Sequence, residues 1–281
     1  IGSLTSDQAL NIGLDASGHV FITGEFRGML DFDPGPDEYN LMSTGQTDIF
    51  LAKYTLTGNL VFAIKMGSTN SDKGAGLGVD ASGGVYLAGD FYNTVDFDPG
   101  PGVFNLSVPV NNVMNGFIAR YGSSGSLIWA GPIGQYSNTL ANSEARSVKL
   151  DADGNVYVAG FFRGVVDFDP GVGVAYLSSA GNSDGFLAKY DAQGNYMFSF
   201  RIGATSEDRV NAIELDAGGN VILAGQFQGQ IDVDPGPDEF LLTSNGSNDI
   251  FLAKYSSSGN LIFAKNMGGA SGDVVFDIAL N

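Results

Sequence analysis

Apolar and polar positions alternate along this chain in a pattern that returns four times. Each round opens on an alternating stretch that ends in Asp: Leu14-Asp15, Val79-Asp80, Leu150-Asp151 and Leu215-Asp216. A short turn follows, such as Ala16-Ser17-Gly18-His19 or Ala152-Asp153-Gly154-Asn155, in which Gly supplies positive φ and Asp or Asn bonds the local backbone. Then comes a run of β-branched and aromatic residues closing on Gly, for example Val20-Phe21-Ile22-Thr23-Gly24 or Val156-Tyr157-Val158-Ala159-Gly160. Apolar runs of this kind between turn signals predict a β-hairpin. A third strand is predicted at Ile49-Phe50-Leu51-Ala52-Lys53-Tyr54, Phe117-Ile118-Ala119-Arg120-Tyr121, Phe186-Leu187-Ala188-Lys189-Tyr190 and Ile250-Phe251-Leu252-Ala253-Lys254-Tyr255. A Gly turn leads to a fourth, as at Leu60-Val61-Phe62-Ala63 and Leu127-Ile128-Trp129-Ala130. Helical periodicity of any length is missing.

Between the second and third strands lies Asp-Phe-Asp-Pro-Gly at residues 31, 96 and 167, and Asp-Val-Asp-Pro-Gly at 232, in steps of 65, 71 and 65. The unit is therefore roughly 67 residues long, a length that signals a repeat architecture. Four antiparallel strands per repeat joined by tight turns predict an all-β fold, a β-propeller of four-stranded blades. A solenoid is the alternative, but its rungs usually run to roughly 20–45 residues. One domain is expected over 1–281, with repeats at about 1–66, 67–133, 134–202 and 203–267 and a partial repeat at 268–281. Small insertions within 108–115 and 136–145 account for the longer step and are expected in loops. Residues 268–281 align with residues 2–15, so the first strand of a fifth unit is expected there. That strand would pair with another molecule, or the chain would be an excerpt of a larger propeller. Ile1 in place of a start methionine points the same way.

Charge narrows the partners. Thirteen Lys and Arg stand against 31 Asp and Glu, a formal charge of −18. Phosphates would be repelled, so nucleic acid and anionic membranes are not expected partners. No apolar run reaches the roughly 18 residues of a membrane span. With no cysteine, disulfides, thiol catalysis and thiolate-bound metals are excluded. The 41 glycines fit many tight turns.

The candidate chemistry sits in the repeated acids. Asp31 and Asp33, Asp96 and Asp98, Asp167 and Asp169, and Asp232 and Asp234 are i, i+2 pairs, which share a face in an extended segment. Repeats one and four add Asp37 and Asp238, each followed by Glu. Calcium takes six to eight oxygens, so these ten aspartates are the candidate Ca²⁺ ligands. The competing reading is that an Asp before Pro-Gly caps the local backbone. Two further acidic sets recur: Asp48, Asp184 and Asp249, with Asn115 in repeat two, and Asp7, Asp72, Asp208 and Asp273, with Ser143 in repeat three. Lys53, Arg120, Lys189 and Lys254 recur in the third strand and are expected to pair with one of those two sets. His19, the one histidine, falls in a turn where other repeats have Gly84, Asn155 and Asn220. Tyr92, Phe161 and Phe162 differ between repeats and are candidates to shape a rim. No nucleophile elbow or multi-histidine site is present, so no enzyme is expected.

Taken together, the Asp-Ala-Ser-Gly and Asp-Ala-Asp-Gly-Asn turns, the Tyr-Val-Ala-Gly strand, Asp-Phe-Asp-Pro-Gly and Phe-Leu-Ala-Lys-Tyr resemble the bacterial β-propeller repeat called the SBBP repeat. The resemblance covers essentially the whole chain. It implies an extracellular or cell-surface, non-enzymatic module and supplies no catalytic residues. The expected function is a structural, self-assembling surface or fibre module, associating through exposed edge strands. The alternative is a propeller that binds a glycan or a protein.

Overall fold

The computed structural model describes residues 6–108, 110, 113–134 and 141–280. In the first repeat β1 (Gln8–Leu14) and β2 (Val20–Phe26) form a hairpin, and β3 (Met29–Asp31) and β4 (Asn40–Met42) form a separate short ribbon. β5 (Asp48–Tyr54) and β6 (Leu60–Met66) then complete an antiparallel sheet in the order β1-β2-β5-β6. The second repeat follows the same plan: β7 (Lys73–Val79), β8 (Val85–Tyr92), the ribbon β9 (Thr94–Asp96) and β10 (Asn105–Ser107), β11 (Met114–Tyr121) and β12 (Leu127–Ile133). The third has β13 (Asn142–Leu150), β14 (Val156–Arg163), the ribbon β15 (Val165–Asp167) and β16 (Tyr176–Ser178), β17 (Asp184–Tyr190) and β18 (Tyr196–Ile202). The fourth has β19 (Arg209–Leu215), β20 (Val221–Phe227), the ribbon β21 (Gln230–Asp232) and β22 (Leu241–Thr243), β23 (Asp249–Tyr255) and β24 (Leu261–Met267). The fold is all-β, with four repeated four-stranded antiparallel sheets of the propeller-blade kind. The ribbon that carries the DxDPG segment is an addition to the four predicted strands.

The DxDPG segment is held by its apolar middle residue. Phe32, Phe97, Phe168 and Val233 are buried. In the first three blades this Phe meets two others edge-on or tilted, one from the second strand and one from the third. The rings of Phe26, Phe32 and Phe50 lie 5.2–6.4 Å apart, and Phe91, Phe97, Phe117 and Phe162, Phe168, Phe186 repeat the cluster. Such aromatic contacts contribute roughly 0.5–1.5 kcal/mol per pair beyond their buried area. Phe162 therefore belongs to this core and not to a rim, because it stands where Phe26, Phe91 and Phe227 stand.

The chain divides into two compact units, Ile1–Thr139 and Leu140–Asn281, of two blades each. In the first unit β7 packs on β1 and β2, and Thr47 and Ser71 form a parallel bridge. In the second, β19 packs on β13 and β14, with a parallel bridge between Ser183 and Glu207. Every first strand carries a bulge at one place, between Ala9 and Asn11, Gly74 and Gly76, Ala145 and Ser147, and Val210 and Ala212.

The expected insertions lie partly outside the described residues, at 109, 111–112 and 136–140. Of the remainder, Met114 and Asn115 open β11, and residues 142–145 open β13, so these positions are strand and not loop. Residues 268–280 enter a fifth repeat in the same register as the others but form no strand. Asp273 N–H bonds Asn248 O at 2.7 Å, as Asp72 bonds Thr47 and Asp208 bonds Ser183. Among the described residues there is no second strand to complete a ladder with this segment, and a strand exists only through its ladder.

Candidate functional site

The DxDPG carboxylates serve the backbone. Asp31 Oδ1 accepts the N–H of Asp33 at 3.0 Å and of Tyr39 at 2.8 Å, and Asp33 Oδ1 accepts that of Gly35 at 2.7 Å. Asp96 and Asp98, Asp167 and Asp169, and Asp232 and Asp234 repeat all three bonds. The N–H groups of Tyr39 and Asp33 hold the Asp31 carboxyl below its ordinary range. Asp37 and Asp238 stand exposed in the same loops. Where they occur, blades two and three have Gly102 and Gly173, and a Cβ added there would come 2.2 Å from Asp98 Oδ2 or Asp169 Oδ2. Among the described residues no group of three or more acidic or histidine side chains is placed to hold a metal ion. Each motif thus offers fewer carboxylates than a calcium shell needs, and carbonyls or water would have to supply the rest.

The recurring cation takes a different partner from those expected. Lys53 pairs with Asp15, Arg120 with Asp80, Lys189 with Asp151 and Lys254 with Asp216, at 2.6–3.6 Å. The reason is register. The third strand runs beside the second, whose hairpin turn carries the Asp, so Lys53 lies opposite Phe21 at the end of the sheet that holds Asp15. The same Asp also caps the turn: Asp15 Oδ1 accepts the N–H groups of Ser17 and His19. His19 Nδ1 lies 2.9 Å from Asp15 Oδ2, which places this histidine in the turn. Lys53 and Lys189 also sit over the rings of Phe21 and Tyr157 and donate to Ser123 O and Ser257 O in the adjoining blade of their unit. The capping role was legible in the Leu-Asp turn signal. The ion pair was not, because sequence spacing alone cannot say which Asp lies across from the Lys.

The other two acidic sets meet where one blade follows another. Asp48 is fully buried and accepts the Thr44 N–H, and its Oδ2 lies 2.8 Å from Lys65 Nζ. Asp72, also fully buried, accepts the N–H groups of Ser68 and Tyr92. Burial, with the nearby Asp48 charge adding to it, raises the Asp72 pKa to about 6. The second unit repeats this with Asp184, Arg201 and Asp208, whose pKa burial likewise raises to about 6.

One place breaks the repeat. Phe161 replaces Glu25, Asp90 and Gln226 of the other blades, and the guanidinium carbons of Arg146 and Arg209 lie 4.9 and 4.7 Å from its ring centre. Arg146 Nε donates to Glu144 and its Nη1 to Asn211, while Arg209 donates to Glu207. Phe161 itself is buried, so it is a platform for the arginines and not an open rim.

Comparison with known proteins shows distant homology to a regulatory protein and to a WD repeat-containing protein. The chain is 26% identical over 266 residues to the regulatory protein FlaEY of Caulobacter vibrioides, covering 89% of this chain and 26% of that protein. It is 23% identical over 323 residues to the uncharacterized WD repeat-containing protein L264 of Acanthamoeba polyphaga mimivirus, covering 96% and 23%. The chain thus spans about a quarter of the length of the curated relatives it matches. No family model matches. Among solved structures, a protein of unknown function from Bacteroides caccae aligns over 91% of this chain and 96% of its own, with 8% identity and a TM-score of 0.36.

Proposed function

We propose that this chain is a non-catalytic structural module of the cell exterior, a series of rigid propeller blades that associate with further copies of the chain. The observation that carries the reading is how the recurring polar groups are used. In each blade the DxDPG acids cap a turn, the hairpin acid caps another and holds the strand cation, and the junction acids bind backbone N–H groups. Little of this inventory is left for catalysis. Self-association is supported by residues 274–280, which hold the register of a blade's first strand and present Phe276 at 85% exposure. An apolar segment of this kind is suited to adding to a sheet edge. The SBBP-type resemblance supports the extracellular setting, and the WD-repeat relative supports the propeller. Calcium at the DxDPG loops belongs to the same proposal as a stiffening ion.

Electron microscopy of the purified protein, with and without chelator, tests the reading. Ordered filaments that vanish on deletion of residues 269–281 are the expected result. Monodisperse particles at all concentrations overturn self-association, and assembly that survives the deletion overturns the role of residues 269–281 in it. Arg146 and Arg209 on Phe161 favour one second reading, the binding of an acidic glycan. Retention on an array of uronate-containing glycans, lost in Arg209→Ala, would select it.

A further inference from the structure

An asparagine followed by glycine occurs twice in the chain, at Asn115-Gly116 and Asn245-Gly246. This pair is prone to deamidation, because glycine brings no side chain to hinder the attack of its peptide nitrogen on the asparagine amide and leaves the backbone free to bend. The two copies sit in opposite settings. Asn115 lies in β11 at 1% exposure, and Gly116 pairs with Asp90 on one side and Ile133 on the other. Two ladders hold that backbone extended. Asn245 is exposed in the bend between β22 and β23, outside the strands. Thr44 and Ala180, at the same position of blades one and three, are exposed as well although another blade of their unit follows each, so the exposure belongs to the turn.

The role of Asn245 differs from that of its counterparts. The Asp48 and Asp184 carboxylates each take a backbone N–H, from Thr44 and Ala180, and a base, Lys65 and Arg201. In the fourth blade Asn266 stands at the register position of those bases, and its Nδ2 donates to Thr243 O. Asp249 is fully buried, and its Oδ2 accepts two bonds from Asn245, the N–H at 3.0 Å and Nδ2 at 3.2 Å. The same Nδ2 lies 3.3 Å from Gly268 O, just past the end of β24. A neutral side-chain amide thus meets the acid of blade four where a lysine or arginine meets it in blades one and three.

We propose that Asn245 is a deamidation site and that its conversion removes the support of Asp249. The Gly246 nitrogen bonds to Cγ of Asn245 and gives up its proton, the side-chain nitrogen leaves as ammonia, and water opens the resulting succinimide to aspartate or isoaspartate. The product has lost the Nδ2 donor and sets a second negative charge beside a buried carboxylate. Like charges in such a place are costly. Isoaspartate also lengthens the main chain by a methylene within the turn that bonds Asp249. The bond to Gly268 O is lost with the amide, so the chain beyond β24 loses a tie to the blade. Thr44 and Ala180 have no amide, and blades one and three are immune to this step. The site is separate from the DxDPG loops and does not depend on the proposed function.

Incubation of the full chain in mildly alkaline buffer, followed by peptide mapping, tests the site. Asn245 should convert while Asn115 stays intact, and both should convert when the chain is held unfolded in urea. Thermal melts test the consequence. Asn245→Asp should melt on the order of 5 °C below the parent, the scale expected for losing a hydrogen bond to a buried charge in a chain of this size. Asn245→Thr copies blade one and loses the donor without gaining a charge, so its midpoint should fall by less and should not drift on incubation. Asn245→Asp combined with Asn266→Lys should recover most of the loss, because a base then stands where Lys65 stands in blade one. The proposal is overturned if the folded chain keeps Asn245 under conditions that convert the unfolded one, or if Asn245→Asp melts with the parent.

Discussion

Tyr54 donates its hydroxyl to the carbonyl of Phe32 at 2.9 Å, and so ties the end of the third strand to the middle of the DxDPG segment. Tyr121 to Phe97, Tyr190 to Phe168 and Tyr255 to Val233 make the same bond at 2.8–3.0 Å. Burial, then the charges of Asp33 and Asp31, pushes the Tyr54 pKa up to about 12, so the phenol remains a donor over the working pH range. Replacing Tyr121 by Phe leaves a buried carbonyl without its partner. The expected loss is about 1–3 kcal/mol, read as a lower urea midpoint. An unchanged midpoint would mean that the bond is replaced by water.

Asp96 holds two N–H groups of its loop, those of Asp98 and Phe104. Asp96→Ala should cost about 0.5–2 kcal/mol, the usual scale for losing such a cap. Hydrogen exchange should quicken in β9 and β10 while β8 and β11 stay protected. Uniform loss of protection across the blade would show instead that the ribbon is part of the blade's cooperative core.

Lys189 lies between the Asp151 carboxylate at 3.3 Å and the Tyr157 ring, and only 7% of its side chain is exposed. A surface ion pair would contribute roughly 0–1 kcal/mol. Here Lys189→Met keeps the packing but strips a charge partner from a mostly buried acid, and about 1–3 kcal/mol should be lost. Lys189→Arg should recover part of it. Equal stability of the Met variant and the parent would reduce the pair to a surface contact.

Asp72 and Asp208 hold protons more tightly when folded, at about 6, than the ordinary 3.8 of the unfolded chain. Their effect on stability is most favourable below the unfolded value and weakens as pH rises from about 4 to 6. Asp31, Asp80 and Asp151 are shifted the other way, so what they add is lost only as pH falls below about 4. The denaturant midpoint should therefore rise on acidification from pH 7 to 5 and fall again below 4. Asp72→Ser with Asp208→Ser, the residue blade three has at Ser143, should flatten the rise. A midpoint that drops steadily from pH 7 would contradict the assigned direction.

The repeat, the four strands of each blade and the turns between them were legible in the sequence, because alternation, β-branching and Gly-Asp turn chemistry are local and return in phase. The capping role of Asp31 and Asp33 was legible for the same reason, since its donors lie two to eight residues away. Pairings across space were not. Lys53 had five recurring aspartates to choose from, at Asp7, Asp15, Asp31, Asp33 and Asp48, and only the register of β2 against β5 selects Asp15. The ribbon around DxDPG needed the burial of Phe32 to be seen, and residues 274–280 read as a strand while lacking the ladder that makes one. That Asp249 is buried with no ion pair among the described residues was likewise beyond the sequence. It depends on which side chain of β24 faces the junction, and tertiary packing alone decides that.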